Sequence, residues 1–179
     1  MLGTSGNLSI LINENPIQFL ITASGKDKGE LTEDDFLLVD ENGRDIACNV
    51  STNIKPSAET LLHSAIYKHT GAKAVFHVHT ANSTLLSMQN EIEFSGLEML
   101  KALGFKTHDV KINIPIIENN QDMKYLFEIA PSYINEEIPG LLLKGHGIYA
   151  WGKTVQEAKR HIETFEFLFE YRMKELLIR

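Results

Sequence analysis

The alternation of apolar and polar residues predicts β-strands in the first quarter of the chain. Residues 8–12 and 17–22 are short runs rich in β-branched residues, and an Asn- and Pro-containing break between them predicts a hairpin. A third run, residues 36–39, leads into an Asn-Gly pair that favours a tight turn, so residues 44–50 are expected to pair back. The first half of the sheet is therefore predicted to be antiparallel.

Helical spacing begins after Pro56, with Ser57 as the expected N-cap and Gly71 as the stop. Further helices are predicted over residues 81–89, 97–103, 122–134 (bent or split at Pro131) and 154–176. Further strands are predicted over residues 72–80, 110–117, 141–143 and 148–151. Because the chain has no internal repeat or Pro/Gly-rich linker, this pattern predicts a single domain in which helices cover a mixed sheet.

Length, charge and cysteine content limit the function classes. A chain of 179 residues with 43% hydrophobic residues fits one soluble globular domain, and a net charge of −7 argues against a nucleic-acid partner. No apolar run approaches the ~20 residues of a membrane span, and the N-terminus lacks the features of a signal peptide. A single cysteine, Cys48, indicates a reducing compartment, so a cytoplasmic location is expected.

Three histidines are the main candidates for chemistry. His77 and His79 are two positions apart in a predicted strand, so their side chains leave the same face. His146 lies between two glycines where two predicted strands meet, and a third imidazole would complete a catalytic metal site. Zinc suits three imidazoles best, although iron, manganese and cobalt also fit. The alternative is a pair of core or surface histidines and an unrelated turn histidine.

Two glutamates are candidates for proton transfer, since a Lewis-acid metal is most useful beside a base. Glu59 falls in the first turn of a predicted helix, where the helix dipole stabilises a carboxylate whatever its function. Glu98 is also near a predicted helix start. Position alone therefore does not distinguish a catalytic from a structural role for either residue.

Three polar clusters are equipped to bind an oxyanion such as phosphate. Residues 4–7, 22–26 and 55–58 each combine small or hydroxyl-bearing residues with free N–H groups. Any one of them is typical of an ordinary turn or cap. Three in a short acidic chain favour a phosphate-bearing substrate.

The order of these motifs resembles the class II aldolase and epimerase family. The matching segments are T-S-G-N-L-S, T-A-S-G, K-P-S-A-E, H-V-H-T and G-H-G, which extend over nearly the whole chain. The resemblance implies an α/β fold with three layers, α/β/α, around a central, mostly antiparallel sheet. It also implies a homotetramer with sites at subunit interfaces. Residues 1–179 would form one such domain, with the family's usual N-terminal helix expected to be absent.

The resemblance also implies roles for individual residues. It places one Zn²⁺ per subunit on His77, His79 and His146. It places substrate and phosphate contacts on five residues of the polar clusters: Asn7, Ser24, Gly25, Lys26 and Ser57. Glu98 matches the acid/base proposed for a dehydratase of the family, whereas Glu59 matches the glutamate that serves its aldolases.

Closer cues favour the dehydratase. These are L-E-M-L-K from residue 97, I-P-I-I-E-N from residue 114 and H-G-I-Y-A-W-G from residue 146. They imply dehydration of a phosphorylated keto-sugar in methionine salvage. A sugar-phosphate aldolase or a pentulose-phosphate epimerase is the alternative. A non-catalytic binding protein is a third interpretation, which the presence of all three histidines and both glutamates argues against.

Overall fold

The computed structural model describes residues 6–46, 54–135 and 137–178. Its strands are β1 (Asn7–Glu14), β2 (Ile17–Thr22), β3 (Phe36–Asp40), β4 (Ala74–Val78), β5 (Glu93–Ser95), β6 (Lys111–Asn113), β7 (Ile116–Ile117), β8 (Gly140–Leu143) and β9 (Gly147–Gly152). Its α-helices are α1 (Thr60–His69), α2 (Ala81–Leu86), α3 (Met123–Ile129) and α4 (Val155–Ile178).

Seven strands form the main sheet, in the order β3-β2-β1-β4-β9-β8-β7, and β5 pairs with β6 in a separate ribbon. Every pairing is antiparallel except that of β7 with β8. The predicted mostly antiparallel sheet is therefore confirmed. The chain also pairs back after β3, where Asp45 bridges Val39, while residues 47–50 of that predicted strand lie outside the described residues.

Apolar side chains pack on both faces of the main sheet, which produces the predicted three layers. Leu141 faces a cluster that includes Ile66 of α1, whereas its neighbour Leu142 faces a cluster that includes Phe165 of α4. Successive strand residues point to opposite faces, so a run of buried leucines in β8 serves both cores. The sheet is thus covered by α1 and α3 on one side and by α2 and α4 on the other.

Two predicted elements differ from the structure. The strand predicted over residues 110–117 is divided into β6 and β7, because Pro115 between them has no N–H to donate to a strand ladder. The helix predicted over residues 97–103 is a 3-10 helix, Glu98–Leu103, which ends at Gly104 with a φ of 101°. Its C-terminal end was predicted correctly, its start differs by one residue, and its helix type was not predicted.

The helix boundaries follow local capping. The helix predicted after Pro56 begins at Thr60 with Glu59 as N-cap, so the prediction of Ser57 as N-cap is wrong. The Ser57 hydroxyl instead accepts a hydrogen bond from the Glu59 N–H at 3.3 Å, just before the helix. At the start of α4, the Glu157 N–H donates to the Thr154 hydroxyl at 3.0 Å, which caps the first turn of the helix. Of the helices in the described part of the chain, none has the length and apolar character needed to cross a membrane.

Candidate active site

The three predicted histidines meet at one end of the main sheet. His77 is the fourth residue of β4 and is fully buried, while His79 follows the strand and is exposed. His146 lies in the turn between β8 and β9. Since β4 and β9 pair antiparallel, the end of β4 meets the start of β9, and the turn brings His146 to the other two histidines.

The side-chain nitrogens converge closely. The Nε2 atoms of His77 and His79 are 2.7 Å apart. The Glu59 carboxylate joins them, with one oxygen 3.3 Å from His146 Nε2 and the other 3.5 Å from His77 Nε2. One ligand atom from each of these four residues lies within 4.8 Å of the others. We call these four residues the metal cluster.

The protonation of His77 suits a metal ligand. Its Nδ1 lies 3.1 Å from the Ile148 carbonyl oxygen and must donate to it. Burial holds the pKa of His77 well below its usual value, so the ring is neutral and Nε2 directs a lone pair into the cluster. Burial, and then the nearby His146, lowers the pKa of His79 to about 4. Neutral imidazoles beside a carboxylate form a donor set that fits Zn²⁺.

Close backbone packing positions His77 in β4 and His79 directly after it. A Cβ atom on Gly147 would lie 2.4 Å from the Val78 carbonyl oxygen and 2.9 Å from His79 Cδ2. Only glycine therefore allows β9 to approach at this point. The Tyr149 ring, two residues along β9, stacks on the His77 ring with centroids 4.0 Å apart.

Helix α2 holds the turn that carries His146. The Thr84 hydroxyl donates to the His146 carbonyl oxygen at 2.9 Å, and the Ser87 hydroxyl accepts from the Gly145 N–H at 2.8 Å. Gly145 has a φ of +64°, a conformation that favours glycine. Because α2 begins directly after Thr80, one short helix fixes the position of both His79 and His146.

A cavity of about 300 Å³ opens beside the metal cluster. Four of the five residues predicted to bind substrate line it: Asn7, Ser24, Gly25 and Ser57. These groups come from the ends of β1 and β2 and from the segment before α1. Glu59, His79 and His146 of the metal cluster line the same cavity, so the candidate oxyanion groups and these cluster residues face one space.

The fifth predicted residue, Lys26, does not line this cavity. Its Nζ lies 2.7 Å from Asp35 Oδ1, and this hydrogen bond is the main reason that the pKa of Asp35 is lowered to about 2. Lys28, which sequence reasoning missed, lines the cavity instead, and its Nζ donates to the Lys26 carbonyl oxygen at 2.6 Å. The sequence indicated Lys28 only as a second lysine two positions after Lys26. Which of the two side chains faces the cavity depends on the loop conformation.

Glu98 lies apart from the metal cluster of the same chain. It does not line the cavity, and its side chain is 72% exposed. Lys101 Nζ lies 2.6 Å from one carboxylate oxygen, and His108 Nδ1 lies 3.6 Å from the other. The hydrogen bond from Lys101 is the main cause of a lowered Glu98 pKa. Of the two predicted glutamates, the structure thus brings only Glu59 to the histidines.

Residues 1–173 match the family described as Class II Aldolase and Adducin N-terminal domain. The chain belongs to this family. Two of its relatives are named methylthioribulose-1-phosphate dehydratase. The one from Persephonella marina is 47% identical over 179 residues, covering 98% of this chain and 81% of the relative. The one from Bacillus subtilis is 47% identical over 175 residues, covering 96% and 83%.

Solved structures of the class II aldolase family share the fold. An L-fuculose 1-phosphate aldolase superposes with a TM-score of 0.76 at 24% identity, covering 98% of this chain and 78% of that one. The L-fuculose-1-phosphate aldolase from Thermus thermophilus has a TM-score of 0.72 at 25% identity, covering 98% and 86%. The family and fold implied by the motif order are therefore confirmed.

Proposed function

We propose that this protein dehydrates 5-methylthioribulose 1-phosphate to 5-methylthio-2,3-dioxopentyl phosphate, with one Zn²⁺ bound per subunit. The observation that supports this most is the cavity that joins the metal cluster to the oxyanion-binding loops. Relatives at 47% identity carry the dehydratase name, whereas the aldolases are only 24–25% identical. The proposal includes a cytoplasmic location, a role in methionine salvage and a homotetrameric enzyme.

The chain's own residues would divide the work between binding and proton transfer. Ser24, Gly25, Ser57 and Lys28 would bind the phosphate, because these residues line the cavity and offer two hydroxyls, a glycine backbone and a cation. His77, His79 and His146 would hold the metal. When bound, Zn²⁺ supplies Lewis acidity to the C2 carbonyl and makes the adjacent C3–H acidic.

Proton transfer requires a carboxylate that can reach C3 and C4. We assign this role to Glu98, as the family resemblance implies, acting from a neighbouring subunit. Its 72% exposure leaves the carboxylate accessible to another chain. Glu98 takes the C3 proton and returns a proton to the departing C4 hydroxyl, so one water leaves and the enol tautomerises to the diketone. Glu59 remains fixed beside the metal ligands.

The reaction is tested by identifying products. Metal-loaded enzyme is supplied with 5-methylthioribulose 1-phosphate and, separately, with L-fuculose 1-phosphate. The proposal predicts loss of one water from the first and no reaction of the second. Cleavage of the second into two carbon fragments would favour the aldolase alternative, in which Glu59 is the base.

The assignment of Glu98 to a neighbouring subunit is tested by mixing inactive variants. Glu98→Gln and His77→Ala subunits are dissociated together and reassembled. In mixed tetramers, some active sites contain three intact histidines from a Glu98→Gln subunit and an intact Glu98 from a neighbouring His77→Ala subunit. With equal amounts and random assembly, about one quarter of the sites have this composition, so up to about one quarter of wild-type activity should return. His146→Ala mixed with His77→Ala is the matched control and should recover none, because both substitutions remove a metal ligand from the same subunit's site. No recovery in the first mixture would place Glu98 in its own subunit's site or outside catalysis.

A further inference from the structure

A buried row of polar side chains runs from the metal cluster into the core. Asn7 Nδ2 donates to Glu59 Oε2, and Asn7 Oδ1 contacts His63 Nε2. His63 Nδ1 lies 2.6 Å from the Ser9 hydroxyl, which lies 2.7 Å from the Tyr67 hydroxyl. Asn7, Ser9, His63 and Tyr67 are each no more than 5% exposed. Buried polar groups are costly unless they are hydrogen-bonded, and here each has a partner.

The row is built from two regular elements that face each other. Asn7 and Ser9 are two positions apart on β1, so they share one face of the sheet. Glu59, His63 and Tyr67 are spaced by four along α1 and its N-cap, so they share one side of the helix. Two strand residues advance about 6.7 Å and four helical residues about 6 Å. The similar spacing lets the hydrogen bonds alternate between helix and strand over the whole row.

The direction of each hydrogen bond is fixed by the chemistry of the groups. Because the Asn7 amide nitrogen donates to Glu59, its oxygen faces His63, and His63 Nε2 must carry the proton. Burial lowers the pKa of His63 to about 3, so the ring is neutral and Nδ1 accepts from Ser9. The Ser9 oxygen then accepts from Tyr67. Every donor in the row therefore points toward the Glu59 carboxylate.

We propose that His63 and, through it, Ser9 and Tyr67 are positioning residues that hold the Asn7 amide in place and, through that amide, the Glu59 carboxylate against the histidines of the metal cluster. A neutral histidine with both nitrogens occupied leaves the amide only one favourable orientation. A purely structural core position would be served as well by an apolar side chain, without the cost of burying polar atoms. This inference rests on the proposed function only for its kinetic readout.

Two amide substitutions at His63 separate positioning from packing. His63→Gln places an amide N–H near the position of Nε2 and can keep the bond to Asn7. The side chain introduced by His63→Asn is one methylene shorter, so its amide reaches only the position of Nδ1. It can keep a hydrogen bond to Ser9 but loses the one to Asn7. Both remove the ring. If His63 positions Glu59, His63→Asn should lower kcat about tenfold relative to His63→Gln, with KM for the phosphorylated substrate within about twofold.

The hydrogen-bond direction is measured separately by NMR on wild-type protein labelled with ¹⁵N-histidine. The His63 signal, identified by its loss in His63→Gln, should show a protonated Nε2 and an unprotonated Nδ1. The opposite tautomer would overturn the proposal, as would equal kcat values for the two variants. If wild-type protein does not dehydrate the substrate, the proposed function fails, while the tautomer still decides the direction of the row. If His63→Asn does not fold, the NMR measurement remains decisive.

Discussion

Acidification should destabilise the metal-free protein through His63. An unfolded histidine has a pKa near 6.5, whereas burial lowers the pKa of His63 to about 3. Between these values the unfolded chain binds a proton that the folded chain excludes, so the free energy of unfolding falls as pH falls. From pH 6.5 to 4.5 this single group should remove about 2 kcal/mol. The titratable side chains around His63 are Tyr67, Tyr149 and His77. Burial raises the pKa of both tyrosines and lowers that of His77, so all three stay neutral in the folded protein over this pH range.

The assay is urea unfolding of chelator-treated wild-type protein and of His63→Gln, at equal protein concentration and at both pH values. The difference in stability between the two proteins should shift by about 2 kcal/mol in favour of the variant at pH 4.5. His69→Gln, at the exposed end of the same helix, controls for removing an imidazole from α1. Parallel pH dependence of wild type and His63→Gln would refute a neutral, buried His63.

Two further predictions concern the metal cluster and the phosphate. Gly147→Ala should weaken zinc binding about tenfold or more in a competition titration, because its Cβ would meet the Val78 carbonyl and the His79 ring. Gly71→Ala is the matched control, since a Cβ there meets no atom within 4 Å, and unchanged zinc affinity in both variants would contradict the packing argument. Lys28→Met should raise KM about tenfold with little change in kcat, and a larger rise in KM for Lys26→Met would show that Lys26 is the phosphate-binding lysine.

The features that the sequence predicted well depend on local periodicity. Alternation in β1 and β2, helical spacing in α1 and α4 and the break at Pro131 all recur in the structure. The histidine site could also be predicted from the sequence, because His77 and His79 are two positions apart in a predicted strand and two glycines mark the turn at His146. The order of the motifs also indicated the family. Its known fold predicts contacts between segments that lie too far apart in sequence for residue spacing to relate them.

The features that the sequence did not predict depend on long-range packing. The partners of His63 lie on β1, 54 and 56 residues away, so neither the helix nor the strand alone indicates that they meet. Which lysine faces the cavity depends on a loop in which Lys26 pairs with Asp35. The position of Glu98 in the sequence did not indicate that it would lie apart from the histidines of its own chain, because that depends on how the 3-10 helix packs.

The most direct test of the account is a zinc titration of metal-free enzyme, with turnover and product mass measured on the same samples. The account predicts no dehydration without metal, a linear rise that ends at one zinc per subunit, and a product lighter than 5-methylthioribulose 1-phosphate by one water. Full turnover in metal-free protein would contradict the role of the three histidines. Carbon–carbon cleavage at saturating zinc would contradict the assigned reaction.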